Sequence, residues 1–365
     1  MAERILTLLE LNRATLARQL LLERAVLVPL EAIERLAGLQ AQLPNPPYIG
    51  LWSRLHAFQK GALTCLLEQR QVVRTTMMRY TLHLATADDY MFFSPALQPL
   101  HSRSLDAYLA KQKISDRESL VAEIEAYLQG QPRKTFQLRA KLAEIAPDMD
   151  ERFVYRLRTY LRLIQVFPGG VWGSGGSPAY TEASAWLGRS FASPEVGLRH
   201  LIRRYLAAFG PASVKDMQMW SGLTRLQPFV DSLRPELKTY RDELGRELFD
   251  LPDAPSFPID LPAPVRFLPE FDNLVLAHDD RRRIIADAYR PIVFPGRSVV
   301  RPTFLVDGFV CGVWSIERKT PVARLVIEPF EPLSDDVRKA LLEEGEQLMH
   351  WMLDGKAFEI QCCEI

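Results

Sequence analysis

Residues 196–224 read VGLRHLIRRYLAAFGPASVKDMQMWSGLT, and the parsing of this stretch sets the architecture expected of the whole chain. A helix over about Val196 to Phe209 ends at Gly210-Pro211, because proline cannot continue it. Ser213 opens a second helix, with Asp216 three residues on as a short variant of the capping box. Ser221-Gly222 makes a tight turn and Thr224 caps a third helix. Pro228 is tolerable there, since backbone donors in a first turn have no intrahelical partner. Three short helices joined by tight turns are the helical half of a winged helix. Arg225 is the only early basic residue of the third, so this unit reads as architectural rather than as a reader of DNA.

Working upstream, a helix over about Phe136 to Ile145 is followed by Asp148 or Asp150 as the cap of another, from Glu151 to about Ile164. Phe153, Leu157, Leu161 and Ile164 form its apolar stripe, and Arg152, Arg156, Arg158 and Arg162 decorate the rest. A strand near Leu163 to Phe167, the Gly-rich turn Pro168 to Ser177 and a strand near Ala179 to Thr181 supply a wing. A basic helix beside such a hairpin suits a DNA groove and its phosphates.

The first unit is less regular. Ile5, Leu8, Leu9, Ala14, Leu16 and Leu20 space a first helix, and Pro29 opens a second that runs through Ile33 and Leu36 to about Gln40, where Pro44 stops it. A third helical stretch covers Leu63 to Gln69. The run from Arg79 to Leu84 has period two, with Tyr80, Leu82 and Leu84 on one face and Arg79, Thr81 and His83 on the other.

Downstream, Pro252, Pro255, Pro258, Pro262, Pro264 and Pro269 mark a linker and a domain boundary. Leu274 to Ile285 reads as a hairpin with His278-Asp279-Asp280 near its tip and Arg281, Arg282 and Arg283 on the return strand. Asp307-Gly308 turns a second hairpin between Thr303 to Val306 and Phe309 to Val313. A strand near Leu325 to Ile327, a helix from Ser334 to about Trp351 and a strand Ala357 to Ile360 complete a small β-rich region. The expected fold class is α+β: three tandem winged-helix units (1–100, 101–190 and 191–255) followed by a C-terminal β-rich, barrel-like domain (256–365). No fixed-period sequence repeat accompanies the units.

The chain has 365 residues, 47% of them hydrophobic, enough for a substantial core. No apolar run approaches a membrane span and the N-terminal residues lack a secretory pattern, so a cytoplasmic, nucleoid-associated protein is expected. Cys65, Cys311, Cys362 and Cys363 provide neither a CxxC pair nor a His/Cys cluster, so neither metal nor cofactor is expected. With 45 basic and 45 acidic residues the net charge is zero, which argues against a general polyanion binder and leaves local patches open. Phosphate-loop, HExxH and GxSxG signatures are absent.

What remains is Gln40-Ala41-Gln42 at an expected helix end. Residues two apart on an ideal helix point about 200° apart, so the two amides converge only if the helix unwinds between them. A glutamine does not titrate and cannot act as a general base. Its carbonyl can accept from water while its NH₂ donates to a sugar or base. Positioning of this kind suffices where the leaving group is already good, as a cationic alkylpurine is. On spacing alone the pair fits ordinary polar residues at a helix end better, because glutamines are common there.

Gly38 to Pro44 with Leu51-Trp52-Ser53-Arg54-Leu55, then Arg79 to Leu84 and Asp88-Asp89, resemble the winged-helix DNA glycosylases of the AlkZ type. Phe209-Gly210-Pro211-Ala212, Trp220-Ser221-Gly222-Leu223, Leu268-Pro269-Glu270-Phe271-Asp272 and Leu276 to Arg281 continue the resemblance across essentially the whole chain. It implies three winged helices and a β-rich domain wrapped around duplex DNA, and monofunctional excision of N7- or N3-alkylated purines, extending in some members to bulky genotoxin adducts and the unhooking of interstrand crosslinks. The family's catalytic pair falls on Gln40 and Gln42, which places the chain in the glutamine rather than the aspartate branch. A hairpin approaching the lesion corresponds to Leu274 to Ile285 and puts His278 and Arg281 near DNA. Arg156, Arg158, Arg281 and Arg282 are expected on phosphates, Arg79 and His83 on DNA beside the glutamines, and Tyr48 and Trp52 in the core. The expected partner is double-stranded DNA with alkylated bases, bound by a monomer. The competing expectations are a winged-helix transcription regulator without catalysis and, behind it, a protein-interaction scaffold.

Overall fold

The computed structural model describes residues 4–112, 116–147, 150–255, 261–296, 298–318 and 322–364. Its first helix, Leu8–Arg18, begins later than the apolar spacing suggests, because Thr7 and Glu10 close a capping box there. Ile5–Leu6 instead pairs in parallel with Arg241 and Asp242. The second helix, Pro29–Arg35, does not reach Gln40. Ala37 and Gly38 both turn left-handed, at φ 55° and 86°, and Leu39–Gln40 becomes a short strand antiparallel to Leu82–Thr86. Val72–Thr76 pairs with the other side of Leu82–Thr86. Pro44 therefore stops no helix; two residues later Pro46 opens one, Pro46–Arg54, which precedes Lys60–Glu68. The period-two pattern holds only from Leu82 onward, because Met78–Tyr80 is a 3-10 turn with Arg79 and Tyr80 left-handed.

A 25-residue helix, Ala87–Lys111, follows, capped by Thr86 and carrying Asp88 and Asp89 in its first turn. The expected unit boundary at residue 100 falls inside it. Arg117–Leu128, Thr135–Ile145 and Glu151–Tyr160 come next. Asp150 caps the last of these through the amides of Arg152 and Phe153, and the alternative cap, Asp148, lies outside the described residues. That helix stops short of Ile164 because Arg162 turns left-handed at φ 55°. The expected strand pair is present as Leu163–Gln165 against Ala179–Glu182, with Arg133–Lys134 as a third strand.

Pro194–Phe209 and Val214–Ser221 form as expected, the latter with the Ser213–Asp216 capping box and left-handed Gly222 at its end. The third helix, Gln227–Leu233, begins beyond Thr224, since Arg225 is left-handed at φ 61°. Lys238–Asp242 and Glu247–Asp250 then extend the sheet begun by Ile5–Leu6. One core joins the first and third regions: Phe93 and Leu97 of the long helix pack with Tyr205, Phe209 and Trp220.

The C-terminal strands Arg266–Leu268, Thr303–Val306, Phe309–Arg318, Ala323–Pro329 and Phe358–Cys362 lie side by side in chain order, with the last pair parallel. No sheet among the described residues closes into a barrel, which corrects the barrel-like expectation. Asp307-Gly308, at φ 46° and 82°, turns the expected hairpin, and helix Asp335–Leu353 is capped by Ser334. The other expected hairpin is not formed. Leu274 to Ile285 folds instead around two 3-10 turns, Asn273–Val275 and Arg281–Arg283. The reason is local: the Asp272 and Asp280 carboxylates accept from the amides of Leu274 and Arg282, and Leu274, Val275, Ile284 and Ile285 are buried in one core. No helix among the described residues is long and apolar enough to cross a membrane.

Candidate active site

Gln40 lies on the edge strand of the sheet formed with Leu82–Thr86 and Val72–Thr76. The chain enters this strand through Gly38, where a side chain's Cβ would sit 2.7 Å from the Leu84 carbonyl oxygen. Gln40 pairs with His83, and the Ala41 amide continues the ladder to Leu82 O at 2.7 Å. At the next rung the Gln42 side chain replaces backbone: its Oε1 accepts from Leu82 N at 3.2 Å. In an extended segment, residues two apart project to the same side. Leu39–Gln40 is the strand and Gln42 lies in the bend just beyond it; both are held on the Leu82–His83 stretch, Gln40 by pairing with His83 and Gln42 through its side chain on Leu82 N.

The orientation of each amide is fixed by chemistry. Gln40 Oε1 accepts from Arg79 Nη2 at 2.7 Å. A guanidinium and a backbone N–H can only donate, so each amide oxygen must face its donor, and each NH₂ is turned away from it. Among the described residues neither NH₂ has a hydrogen-bond partner. Gln40 is buried, 6% exposed, whereas Gln42 is open to solvent. The pair therefore presents two donors and the second lone pair of each oxygen across a buried-to-exposed step.

Arg79 anchors the arrangement from a left-handed backbone at φ 52°. Its Nη1 donates to Trp220 O, and Gly222 abuts its backbone so closely that a Cβ would meet Arg79 Cα at 3.0 Å. No carboxylate among the described residues pairs with Arg79. Burial, with Arg281 nearby, pulls its guanidinium down to about 10, still charged at neutral pH. His83 is fully buried; its Nδ1–H donates to Thr81 O at 2.9 Å, leaving the Nε2 lone pair toward Arg79, 3.5 Å away. Burial and the Arg79 charge push this imidazole down to about 3, so it is neutral.

The basic residues expected on DNA separate into groups. Arg156 and Arg158 flank Tyr155, whose hydroxyl donates to Tyr80 O at 2.8 Å, so their helix docks on the turn that holds Arg79. They lie over the Tyr108 and Tyr180 rings at 5.0 and 4.2 Å and have no carboxylate partner among the described residues. Arg281 lies over Phe294 and is likewise unpaired there. Arg282 is tied to Asp280, which also receives Arg246. His278 departs from expectation: it is 1% exposed, hydrogen-bonded through Nε2 to Phe209 O and held deprotonated by burial and Arg283. Neither His278 nor His83 offers a surface to DNA in this structure, because each ring lies within the core. Tyr48 and Trp52 are buried beside Trp172 and Trp351 respectively.

The DNA glycosylase AlkZ-like family matches residues 33–351. The chain belongs to this family. The interstrand DNA cross-link repair glycosylase of Streptomyces sahachiroi is 23% identical over 333 residues, spanning 82% of this chain and 84% of that protein. The solved structure of the Streptomyces sahachiroi DNA glycosylase AlkZ superposes with a TM-score of 0.84 at 19% identity, covering 98% of this chain and 100% of that one. The AlkZ-like α+β fold is therefore shared from end to end.

Several residues around the glutamines of this AlkZ-like chain escape a reading of the sequence. Arg74 donates to Ala41 O and Gln42 O, and Asn273 bridges Gly38 O and Gln40 N. Arg54 and Asp272 form a buried bidentate pair at 2.8 Å beside Asn273. Arg54, Asp272 and Trp220 stand in stretches that carry the family resemblance, and that was their only signal. Glu270, half-buried and without a hydrogen bond or ion pair among the described residues, has its acid pKa raised by burial.

Proposed function

We propose that this AlkZ-like protein is a monofunctional DNA glycosylase that hydrolyses the N-glycosidic bond of alkylated purines with a water held by Gln40 and Gln42. The observation that carries the reading is the fixed orientation of both amides, Gln40 by Arg79 in the turn Met78–Tyr80 and Gln42 by the Leu82 N–H of the partner strand. As the C1′–N bond breaks, its electron pair neutralises the cationic base, so departure needs no acid. The free lone pairs of the two oxygens accept from a water whose own lone pair forms the new bond to C1′, and its proton passes to solvent. The two NH₂ groups donate to the sugar or the base. Because the interaction is dipolar, it orients the nucleophile without activating it, and substrates are confined to bases that leave readily. No lysine stands in the Gln40-Ala41-Gln42 segment for Schiff-base chemistry.

Duplex DNA is the partner proposed, with Arg156, Arg158 and Arg281 on phosphates, Arg79 near DNA beside the glutamines, Arg282 at the rim, and the three helix-and-sheet regions acting as winged helices. Carboxylate-free guanidiniums are suited to that role, because no ion pair has to be broken for a phosphate to bind. The exposure of Gln42 suits bulky adducts, and by extension from the relative's name the substrates include interstrand crosslinks. Release of free base from duplex containing N7-methylguanine, and none from undamaged duplex, is the expected result. Tight, sequence-selective binding of undamaged DNA without base release would contradict it and favour a regulator.

A further inference from the structure

We propose that Arg74 and Asn273 are positioning residues for the two glutamines, bracing the backbone of residues 38–42 from opposite sides; the inference rests on the two-glutamine reading above. Leu39–Gln40 is an edge strand, and its outer backbone groups face Asn273 rather than another strand. Asn273 Nδ2 donates to Gly38 O at 2.8 Å, and its Oδ1 accepts from Gln40 N at 3.3 Å. The carboxamide thus takes the place of a peptide group in a neighbouring strand. Asn273 is itself 2% exposed and follows Asp272, which Arg54 grips with two hydrogen bonds of 2.8 Å while its Oδ1 caps Leu274 N.

Arg74 approaches from the other side. Its Nε and Nη2 both donate to Ala41 O, at 3.0 and 2.8 Å, and Nη2 also reaches Gln42 O at 3.2 Å. Nη1 donates to Gln165 Oε1 at 2.6 Å, and Gln165 Nε2 donates to Tyr180 Oη at 3.0 Å, so the brace extends into the wing region. Arg74 is 6% exposed and has no carboxylate partner among the described residues. A buried cation held only by neutral oxygens is a costly way to secure a loop, since the charge is desolvated without an opposite charge in return. Its value lies in the fork, which fixes two successive carbonyls at defined angles in a way that a point charge cannot. Neither residue hydrogen-bonds to the side chain of Gln40 or Gln42, so each acts through backbone geometry.

The test is single-turnover release of N7-methylguanine from duplex DNA at saturating enzyme, with duplex affinity and thermal midpoint measured for every variant. Arg74→Lys keeps the charge and loses the fork; Asn273→Ala removes the strand-like clamp and serves should Arg74→Lys fail to fold. Each is expected to slow release about ten- to a hundredfold at unchanged affinity. In a Gln42→Ala background Arg74→Lys should slow release no further, and Asn273→Ala should be similarly silent in Gln40→Ala. Unchanged rates in the folded single variants, or losses that multiply in the doubles, would overturn the proposal. If Gln42→Ala and Gln40→Ala release base at the wild-type rate, the two-glutamine reading fails and the proposal falls with it. If those variants are slow while Arg74→Lys and Asn273→Ala are not, the proposal alone fails.

Discussion

At the scale of single residues, the site is distinguished by groups that do not titrate near neutrality. Gln40 and Gln42 carry no ionisable proton. The nearest imidazole, His83, is pushed down to about 3 by burial and by Arg79. A mechanism run by these groups lacks the histidine limb that general-base catalysis would show. Between about pH 6 and about pH 7.5 the single-turnover rate of N7-methylguanine release is therefore expected to be constant at fixed occupancy. A rate that climbs through a midpoint near 6.5 would show that a histidine takes the proton from water. The Gln40-Ala41-Gln42 motif stood out in the sequence, but the backbone that carries it did not. Gln40 stands on a strand rather than a helix end, and that conformation is set by Leu84, His83 and Asn273, which are distant in sequence. His278 was misjudged for a related reason. A histidine followed by two aspartates reads as a polar tip, and only the fold carries it to the Phe209 carbonyl.

At the scale of elements, legibility follows capping chemistry. Ser213 with Asp216, Asp150 and Ser334 each hold a helix end with their own side chains, Asp307-Gly308 turns its hairpin through left-handed backbone, and each was found where expected. The long helix Ala87–Lys111 was obscured by Pro95 and Pro99 within it. Leu274 to Ile285 carries strand-like apolar residues, yet the Asp272 and Asp280 caps divert it into 3-10 turns. The edge strand that carries Gln40 depends in turn on Gly38, whose φ of 86° and proximity to Leu84 O exclude a side chain. Gly38→Ala should separate Leu39 from Leu84 and displace Gln40. The expected outcome is a loss of about 1–3 kcal/mol in stability, read from a urea midpoint, with a fall in excision rate larger than any fall in DNA affinity. Wild-type excision by this variant would mean that the strand does not position Gln40.

At the scale of the whole molecule, the first and third regions share a core, and buried Arg18 ties the first helix to Asp250 of the Glu247–Asp250 strand. Much of this interior is polar, including three nearly inaccessible histidines. Burial lowers His83 to about 3 and His101 to about 4, and His278 is lowered in the same sense. Their ordinary value is 6.5, so between the folded and unfolded values the unfolded chain binds more protons, and stability falls as pH drops below about 6.5. Each histidine accounts for about 2 kcal/mol by pH 5, and chemical denaturation at pH 7.5 and pH 5 should show a correspondingly lower midpoint in acid. Equal midpoints would mean that these rings are not held neutral. The proposed chemistry rests on one small arrangement of two amides. The measurement that tests it most directly is single-turnover release of N7-methylguanine from duplex DNA by wild type, Gln40→Ala and Gln42→Ala at equal DNA occupancy. Release slowed about a hundredfold or more in both variants, with binding retained, is the predicted result; release at the wild-type rate in either would contradict a water held by the pair.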